Sequence, residues 1–220
     1  MKREQKQNLW RHIILISVGF FLLYPVIFMV FASFKNSNEI FASPNLLPEK
    51  WLFENYTNGW SSGATGTVTF TNFFINTFVL VIPVVAATVI SCTLAAYGFG
   101  RFDFPFKKIL FPVLMATLML PNTVIIIPRF MLFKKIGWLD SYLPFFVPAL
   151  FAAYPFFIFM IIQFLRGVPS ELDESAKMDG CNSFQILIHI LLPILKPAVF
   201  SAGLFQFLWT WNDFYNQFIF

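Results

Sequence analysis

Long apolar runs separated by short charged stretches set the plan of this chain. Runs with few or no charges cover His12–Phe34, Asn72–Gly98, Ile109–Ile127, Ser141–Leu165 and Lys196–Asp213. A hydrocarbon core about 30 Å thick is crossed by about 20 apolar residues in a helix. Each run therefore predicts one membrane span. The first four contain no Asp, Glu, Lys or Arg. The fifth has only 16 uncharged residues between Lys196 and Asp213. It still reaches across if Lys196 snorkels to one interface and Asp213 sits near the other. The predicted layout is a polar N-terminus at 1–11, a first membrane helix at 12–34, a polar segment at 35–71, and a core at 72–220 with four further spans. The expected fold class is an all-α, polytopic helical bundle.

Composition agrees with that pattern. Of 220 residues, 58% are hydrophobic, 20% aromatic and 12% charged. Ordinary soluble domains are about 45–50% apolar and about 25% charged. Disorder, a collagen repeat and a disulfide scaffold are excluded, because Cys92 and Cys181 are isolated and have no metal-ligand company. The first apolar run, 23 residues long, exceeds the 7–15 of a cleavable signal core, so it reads as a retained helix.

The net charge of +4 does not point to nucleic acid, since no basic run is interleaved with polar surface. With the N-terminus in the cytoplasm, ten basic residues fall inside and five outside, as the positive-inside rule favours. The inside set is Lys2, Arg3, Lys6, Arg11, Arg101, Lys107, Lys108, Arg166, Lys177 and Lys196. Arg129, Lys134 and Lys135, outside on this count, run against the trend. Prolines lie within the first four spans, at 25, 83, 112, 121, 144, 148 and 155. The backbone groups they free must meet protein or a cavity. Ala87, Ser91 and Ala95 form a small-residue face suited to close helix contact. Asn55-Tyr56-Thr57 matches a glycosylation sequon, a short match that reads as accidental.

The most charged segment is 166–195, between the fourth and fifth spans. Glu171 to Asp179 is helix-forming, with Ser170 a candidate N-cap and acids in the first turn. Gly180 suits a helix end. Phe184 to Leu192 predicts a second, apolar helix ending near Pro193 and Pro197. A helix–turn–helix of this kind at the membrane face is shaped to dock into a groove on a partner.

Here the spacing becomes specific. Glu174-Ser175-Ala176, then three residues, Gly180, then nine, then Ile190-Leu191-Leu192-Pro193 resembles the EAA motif of ABC importer permeases, with serine in place of the first alanine. Ala32-Ser33-Phe34-Lys35, Glu54-Asn55-Tyr56, Ala96-Tyr97-Gly98-Phe99-Gly100-Arg101-Phe102 and Trp209-Thr210-Trp211-Asn212-Asp213 resemble the carbohydrate-uptake branch. The short N-terminus and single opening helix are similar to the G-type subunit of maltose-type transporters.

That resemblance implies a type I importer permease in the bacterial or archaeal inner membrane, multi-pass and with its N-terminus cytoplasmic. Six spans are expected, so five here imply that the last helix is missing beyond Phe220. The implied partners are membrane lipid, a second, F-type permease subunit, two ATPase subunits and an extracytoplasmic sugar-binding protein. No cofactor is expected on this chain; ATP and Mg belong to the ATPase subunits, in keeping with the lack of a G-x-x-x-x-G-K-[ST] sequence. The implied cargo is a carbohydrate, with an oligosaccharide favoured.

Expected coupling residues are Glu174, Ser175, Ala176, Asp179, Gly180, Ile190, Leu192 and Pro193. Charge would set pairing and register, the small residues would allow close approach, and Ile190, Leu192 and Pro193 would anchor the second helix. Glu174 as a solvated helix charge and Gly180 as simple turn chemistry remain open. Trp209, Trp211, Asn212 and Asp213 offer aromatic faces and hydrogen-bonding groups suited to a sugar path. Interfacial anchoring by Trp accounts for them more simply. An intramembrane enzyme lacks a visible acid–base cluster. A gradient-driven secondary transporter would need ionisable groups or broken helices at mid-membrane.

Overall fold

A computed structural model describes residues 2–42, 44–61 and 68–220, with side chains in the first helix from Asn8 and from Trp10 onward. The charges expected at Lys2, Arg3 and Lys6 lie outside the described side chains, as do residues 62–67 of the polar 35–71 segment. Among the described residues every regular element is helical. Contacts divide the chain into two compact units, one through Phe74 and one from Ile75.

In the first unit, α1 (Lys2–Ala32) carries the first apolar run and continues through Pro25. Two short helices follow, α2 (Ser37–Ala42) and α3 (Glu54–Ser61). The loop between α1 and α2 is tied to α3 by polar bonds. The Asn55 amide donates to the carbonyls of Ser33 (3.0 Å) and Lys35 (2.9 Å), and the hydroxyls of Ser33 and Tyr56 meet at 2.7 Å. The sequon at Asn55 is therefore a structural clasp. Lys35 is buried, donating to the Asn45 carbonyl and lying 3.9 Å from Glu39.

The second unit begins within α4 (Phe70–Arg101), a single helix continuous through Pro83. The third apolar run is not one straight helix. It is α5 (Lys107–Thr117) and α6 (Asn122–Lys135), bent by 106°. Pro121 has extended backbone (φ −63°, ψ 136°) where α6 starts; a proline fixes φ and pushes the residue before it out of helical geometry. The fourth run is also interrupted, as α7 (Leu143–Leu150) and α8 (Pro155–Arg166), but without such a bend, and Leu143–Arg166 still makes one span. Tyr154, before Pro155, is non-helical, and Ala152 has φ +55°.

The last run differs from expectation in the opposite sense. The second helix of the 166–195 segment does not end near Pro193 and Pro197. After α9 (Glu171–Met178) comes α10 (Ser183–Gln185), a π turn over Ile186–Leu191, and α11 (Leu192–Trp211), continuous from Ser183 to Trp211. A π turn shifts the ladder by one residue and coincides with the stretch where Pro193 would otherwise clash with the preceding turn. The short α12 (Phe214–Ile219) closes the described chain.

Among the described residues four helical stretches are long and apolar enough to span a bilayer, and the bent α5–α6 pair is a fifth if it crosses. The polar contacts show which way that pair travels. Arg101, at the end of α4, donates to the carbonyl of Val168, just beyond α8 (2.7 Å). The ends of α4 and α8 therefore lie at one face, and the two run parallel. An odd number of crossings must separate them, so α5–α6 crosses as a broken span.

The core of this unit joins α4, α8 and the 186–195 stretch through Cys92, Ala96, Phe157, Ile161, Leu165, Ile186, Leu191 and Leu195. The small-residue face of α4 is used at Ser91, whose hydroxyl donates to the Ala149 carbonyl of α7 (2.6 Å), beside Ala87 in the same contact. Close approach is tightest at Gly100, where an added Cβ would collide with Leu165 Cδ2. Leu165 is fully buried and cannot simply swing away. Gly100→Val should destabilise the helix pair by about 1–3 kcal/mol, read as a lower thermal unfolding midpoint in detergent; Gly98→Val, where the same atom meets open space, should cost less.

Candidate coupling site

The motif segment forms a short amphipathic helix with a closed end. The hydroxyl of Ser170 makes no cap, contrary to the sequence expectation. Its carbonyl instead accepts from the amides of Asp173 and Glu174 at 3.0 and 3.2 Å, so the helix begins from backbone alone. The acids still crowd the first turn, where the helix dipole favours them. At the other end Gly180 has φ +84°. Its amide donates to the Lys177 carbonyl (3.0 Å), and the amide of Cys181 donates to that of Ala176 (2.9 Å). This is a Schellman end, in which the left-handed residue is cheapest as glycine. Cys181 and Ala176 both join the apolar core, completing the hydrophobic part of the motif. The chain then restarts at once with a capping box: Asn182 accepts from the Gln185 amide, and Gln185 accepts from the Asn182 amide, both at 2.9 Å.

One face of α9 is held and the other is open. Asp173 and Ala176 are buried; Glu171, Glu174, Ser175 and Met178 are exposed on the opposite side. Asp173 Oδ2 lies 2.6 Å from Arg101 Nε, with both side chains near nine-tenths buried (13% and 11% exposed). The same guanidinium donates to Val168. Four residues earlier on α4, the Tyr97 hydroxyl donates to the Ser183 carbonyl (3.0 Å). Thus the last turns of α4 grip both helices of the segment, one before Gly180 and one after. The ring of Phe102 packs edge-on against Tyr97 at 5.0 Å.

The expected coupling residues divide accordingly. Glu174, Ser175, Asp179 and Gly180 are on the surface, and the Ser175 hydroxyl is turned back to the Glu171 carbonyl (2.8 Å). Ala176 is buried. Ile190 packs partly against the core, Leu192 is half-buried and Pro193 is exposed. The full anchors are Ile186, Leu187, Leu191 and Leu195, so anchoring falls beside Leu192 and Pro193, displaced by the π turn. Arg101, Tyr97 and Asp173 carry the grip but were not among the expected residues. A signal for Tyr97 and Arg101 was present in the run 96–102, which ends a span with an arginine; none singled out Asp173.

At the far end of α11 the four sugar-path candidates do not form one surface. Trp209 packs on Phe156 and Phe157 of α8 (5.3 and 5.0 Å), whereas Trp211 packs on Phe78 of α4 (5.5 Å). Asn212 donates to its own helix at the Leu208 carbonyl (2.8 Å). Asp213 caps α12, accepting from the Asn216 amide (3.1 Å) and side chain (2.7 Å). Asn216 in turn accepts from Arg129 of α6, whose guanidinium lies over the Phe220 ring at 5.0 Å. Asp213 is joined to Arg129 through Asn216, and the tryptophans are aromatic anchors between helices. Among the described residues no group of His, Cys, Asp and Glu is placed to hold a metal ion.

Comparison with known proteins agrees with this architecture. Residues 87–215 match the family model described as binding-protein-dependent transport system inner membrane component. The diacetylchitobiose uptake system permease protein NgcG of Streptomyces coelicolor is 29% identical over 203 residues, 92% of this chain and 66% of that protein. The sn-glycerol-3-phosphate transport system permease protein UgpE of Rhizobium meliloti is 30% identical over 217 residues, 97% of this chain and 76% of that protein. A crystal structure of a bacterial ABC transporter that imports the acidic polysaccharide alginate shares the fold, with TM-score 0.78 at 19% identity, over 97% of this chain and 73% of that one. The chain spans about two thirds of the length of the first of these relatives. With the motif segment, the helical architecture and the matched residues in agreement, the chain belongs to the binding-protein-dependent ABC transporter permeases of the inner membrane.

Proposed function

We propose that this chain is the G-type permease subunit of an ATP-driven carbohydrate importer, and that α9 transmits the ATPase cycle to the membrane helices. The observation that carries this is the one-sided hold on α9. Its inner face is locked to α4 by the nearly buried Arg101–Asp173 pair, while Glu171, Glu174, Ser175 and Met178 face outward. An element that conveys force must be stiff towards its load and exposed to its driver.

In this reading α9 sits in a groove of one of two ATPase subunits, which bind ATP and Mg. A second, F-type permease subunit encloses the path with this one, and a binding protein delivers the sugar on the outer side. Closure of the ATPases displaces α9. Arg101 passes the displacement to α4, and Tyr97, through Ser183, passes it to the helix that becomes α11. The rigid helices then tilt together between outward and inward access. The N-terminus lies in the cytoplasm, on the same side as Arg101 and Arg166. The names of relatives that move diacetylchitobiose, arabinooligosaccharides and alpha-glucosides support an oligosaccharide as cargo. Accumulation of sugar that persists with hydrolysis-dead ATPase subunits would refute ATP-driven import and favour a gradient-driven carrier.

Two sets of variants test the coupling role. Gly180→Asn keeps a residue that tolerates positive φ, and nothing lies near the position in this chain. If a partner groove approaches Gly180, Gly180→Asn and Glu174→Lys should both weaken co-purification of the ATPase subunits while membrane insertion persists; unchanged co-purification by both would remove the docking role. For the grip, Asp173→Asn and Arg101→Gln should each lower sugar stimulation of ATP hydrolysis about tenfold, within the usual 1–3 kcal/mol of inter-site coupling. The exchanged pair Arg101→Asp with Asp173→Arg should recover part of it. Full stimulation in both single variants would show that α4 does not read α9 through this contact.

A further inference from the structure

Next to the grip lies a crevice of about 250 Å³ that the coupling role does not use. Its walls include Phe99 and Arg101 of α4, Lys107 and Phe111 of α5, and Ile162 and Arg166 of α8. Ligand clefts for drug-sized molecules run about 300–1,000 Å³, so this one is small for an oligosaccharide and suits a compact group. Three cations from three helix ends converge on it. Arg101 is engaged by Asp173. Lys107 lies 3.2 Å from the fully exposed Asp103 and donates to the Phe102 carbonyl at 2.7 Å; such a solvent-facing pair is weak. Arg166 has no carboxylate partner among the described residues and rests over the Phe111 ring at 5.7 Å. The crevice therefore carries one positive charge in excess, at the ends of two membrane helices, where lipid headgroups lie. Along the outer side of α5, directly after Lys107, Ile109, Leu110 and Val113 are exposed. A compact singly charged group continued by an apolar tail matches both features.

We infer that this crevice binds an anionic phospholipid of the cytoplasmic leaflet, its phosphate held by Arg166 and Lys107 and its acyl chains laid along α5. Basic pockets between membrane helices recognise anionic headgroups by this chemistry. The inference rests on the inner-face placement of Arg101 and Arg166 proposed above. A free anion would use the cations but not the apolar strip.

The test uses the intact transporter complex, loaded with phosphatidylglycerol or phosphatidylcholine, washed in detergent, and assayed for retained lipid by native mass spectrometry. Wild type should retain phosphatidylglycerol several-fold over phosphatidylcholine, and millimolar inorganic phosphate should not displace it. The double variant Arg166→Gln, Lys107→Gln should lose that excess, whereas Lys108→Gln, outside the crevice, should keep it. Equal retention of the two lipids by wild type, displacement by phosphate, or undiminished retention by the double variant would each overturn the site. The wild-type comparison needs no variant to fold. Sugar-stimulated ATP hydrolysis, measured on the same preparations, reports separately on the coupling role. Normal stimulation in a wild-type complex with no lipid preference removes the lipid site alone, and a wild-type complex that keeps the lipid preference but shows no stimulation by sugar removes the coupling role alone.

Discussion

A nearly buried ion pair between Arg101 and Asp173 is the contact on which the inner end of this molecule depends. Taking two charges out of water costs several kcal/mol each, so such a pair is weak ground for stability; an apolar pair of similar volume often does as well. What it supplies is geometry. A guanidinium that meets both a carboxylate and the Val168 carbonyl fixes the distance and angle of α9 relative to α4, where apolar side chains would permit sliding. Rigid transmission needs that restriction. The fully buried core beneath, from Cys92 to Leu195, supplies the cohesion that lets the polar contact act as a register pin.

The same division between stiffness and interruption recurs in the spans. α4 runs unbroken through Pro83, and the 183–211 helix absorbs Pro193 and Pro197 with one π turn. The two spans between them are broken, each where a proline begins the second half. Broken helices at membrane depth survive only where protein covers the freed backbone groups. Here the Ser91 hydroxyl reaches the last turn of α7 at Ala149, and the Cys92 thiol lies 3.7 Å from the Tyr154 carbonyl at the break. The continuous helices thus form a rigid frame, and the interrupted ones are stapled to it.

Much of this was legible in the sequence, for reasons that can be named. Spans announce themselves because lipid tolerates so few charges, and Gly180 announces a helix end because only glycine takes φ +84° without cost. The amide clasp at Asn55 and the break at Pro121 were less visible. A sequon and a clasping asparagine are written with the same letters, and a proline in an apolar run signals a kink without giving its size. The grip itself was hidden for a different reason. Asp173 is one acid among three in α9, and only the helix's rotation about its own axis, set by Ala176 and the core, decides which of them turns inward. The four sugar-path candidates were not legible as one surface, since Trp209 and Trp211 are two residues apart on a helix and so point to different neighbours.

The basic residues that opposed the positive-inside trend now have a physical setting. Since the contacts of Arg101 require α5–α6 to cross, α6 ends at the opposite face from Arg101, and its charges do belong there. Arg129, however, is not a loop charge: it is drawn towards Asn216 and the Phe220 ring, where its role is to join α6 to α12. Lys134 and Lys135 occupy the last turn of α6, where the helix dipole favours cations. A rule that counts exposed loop charges should not count a guanidinium folded against an aromatic ring, and it should discount two lysines held by a helix end. With those three set aside, Lys35 must be set aside as well, because it is buried against Glu39 and the Asn45 carbonyl. By the same standard Arg101, nearly buried against Asp173, and Arg166, laid over the Phe111 ring, are not loop charges either, so structure thins the count of free basic residues at both ends of these helices.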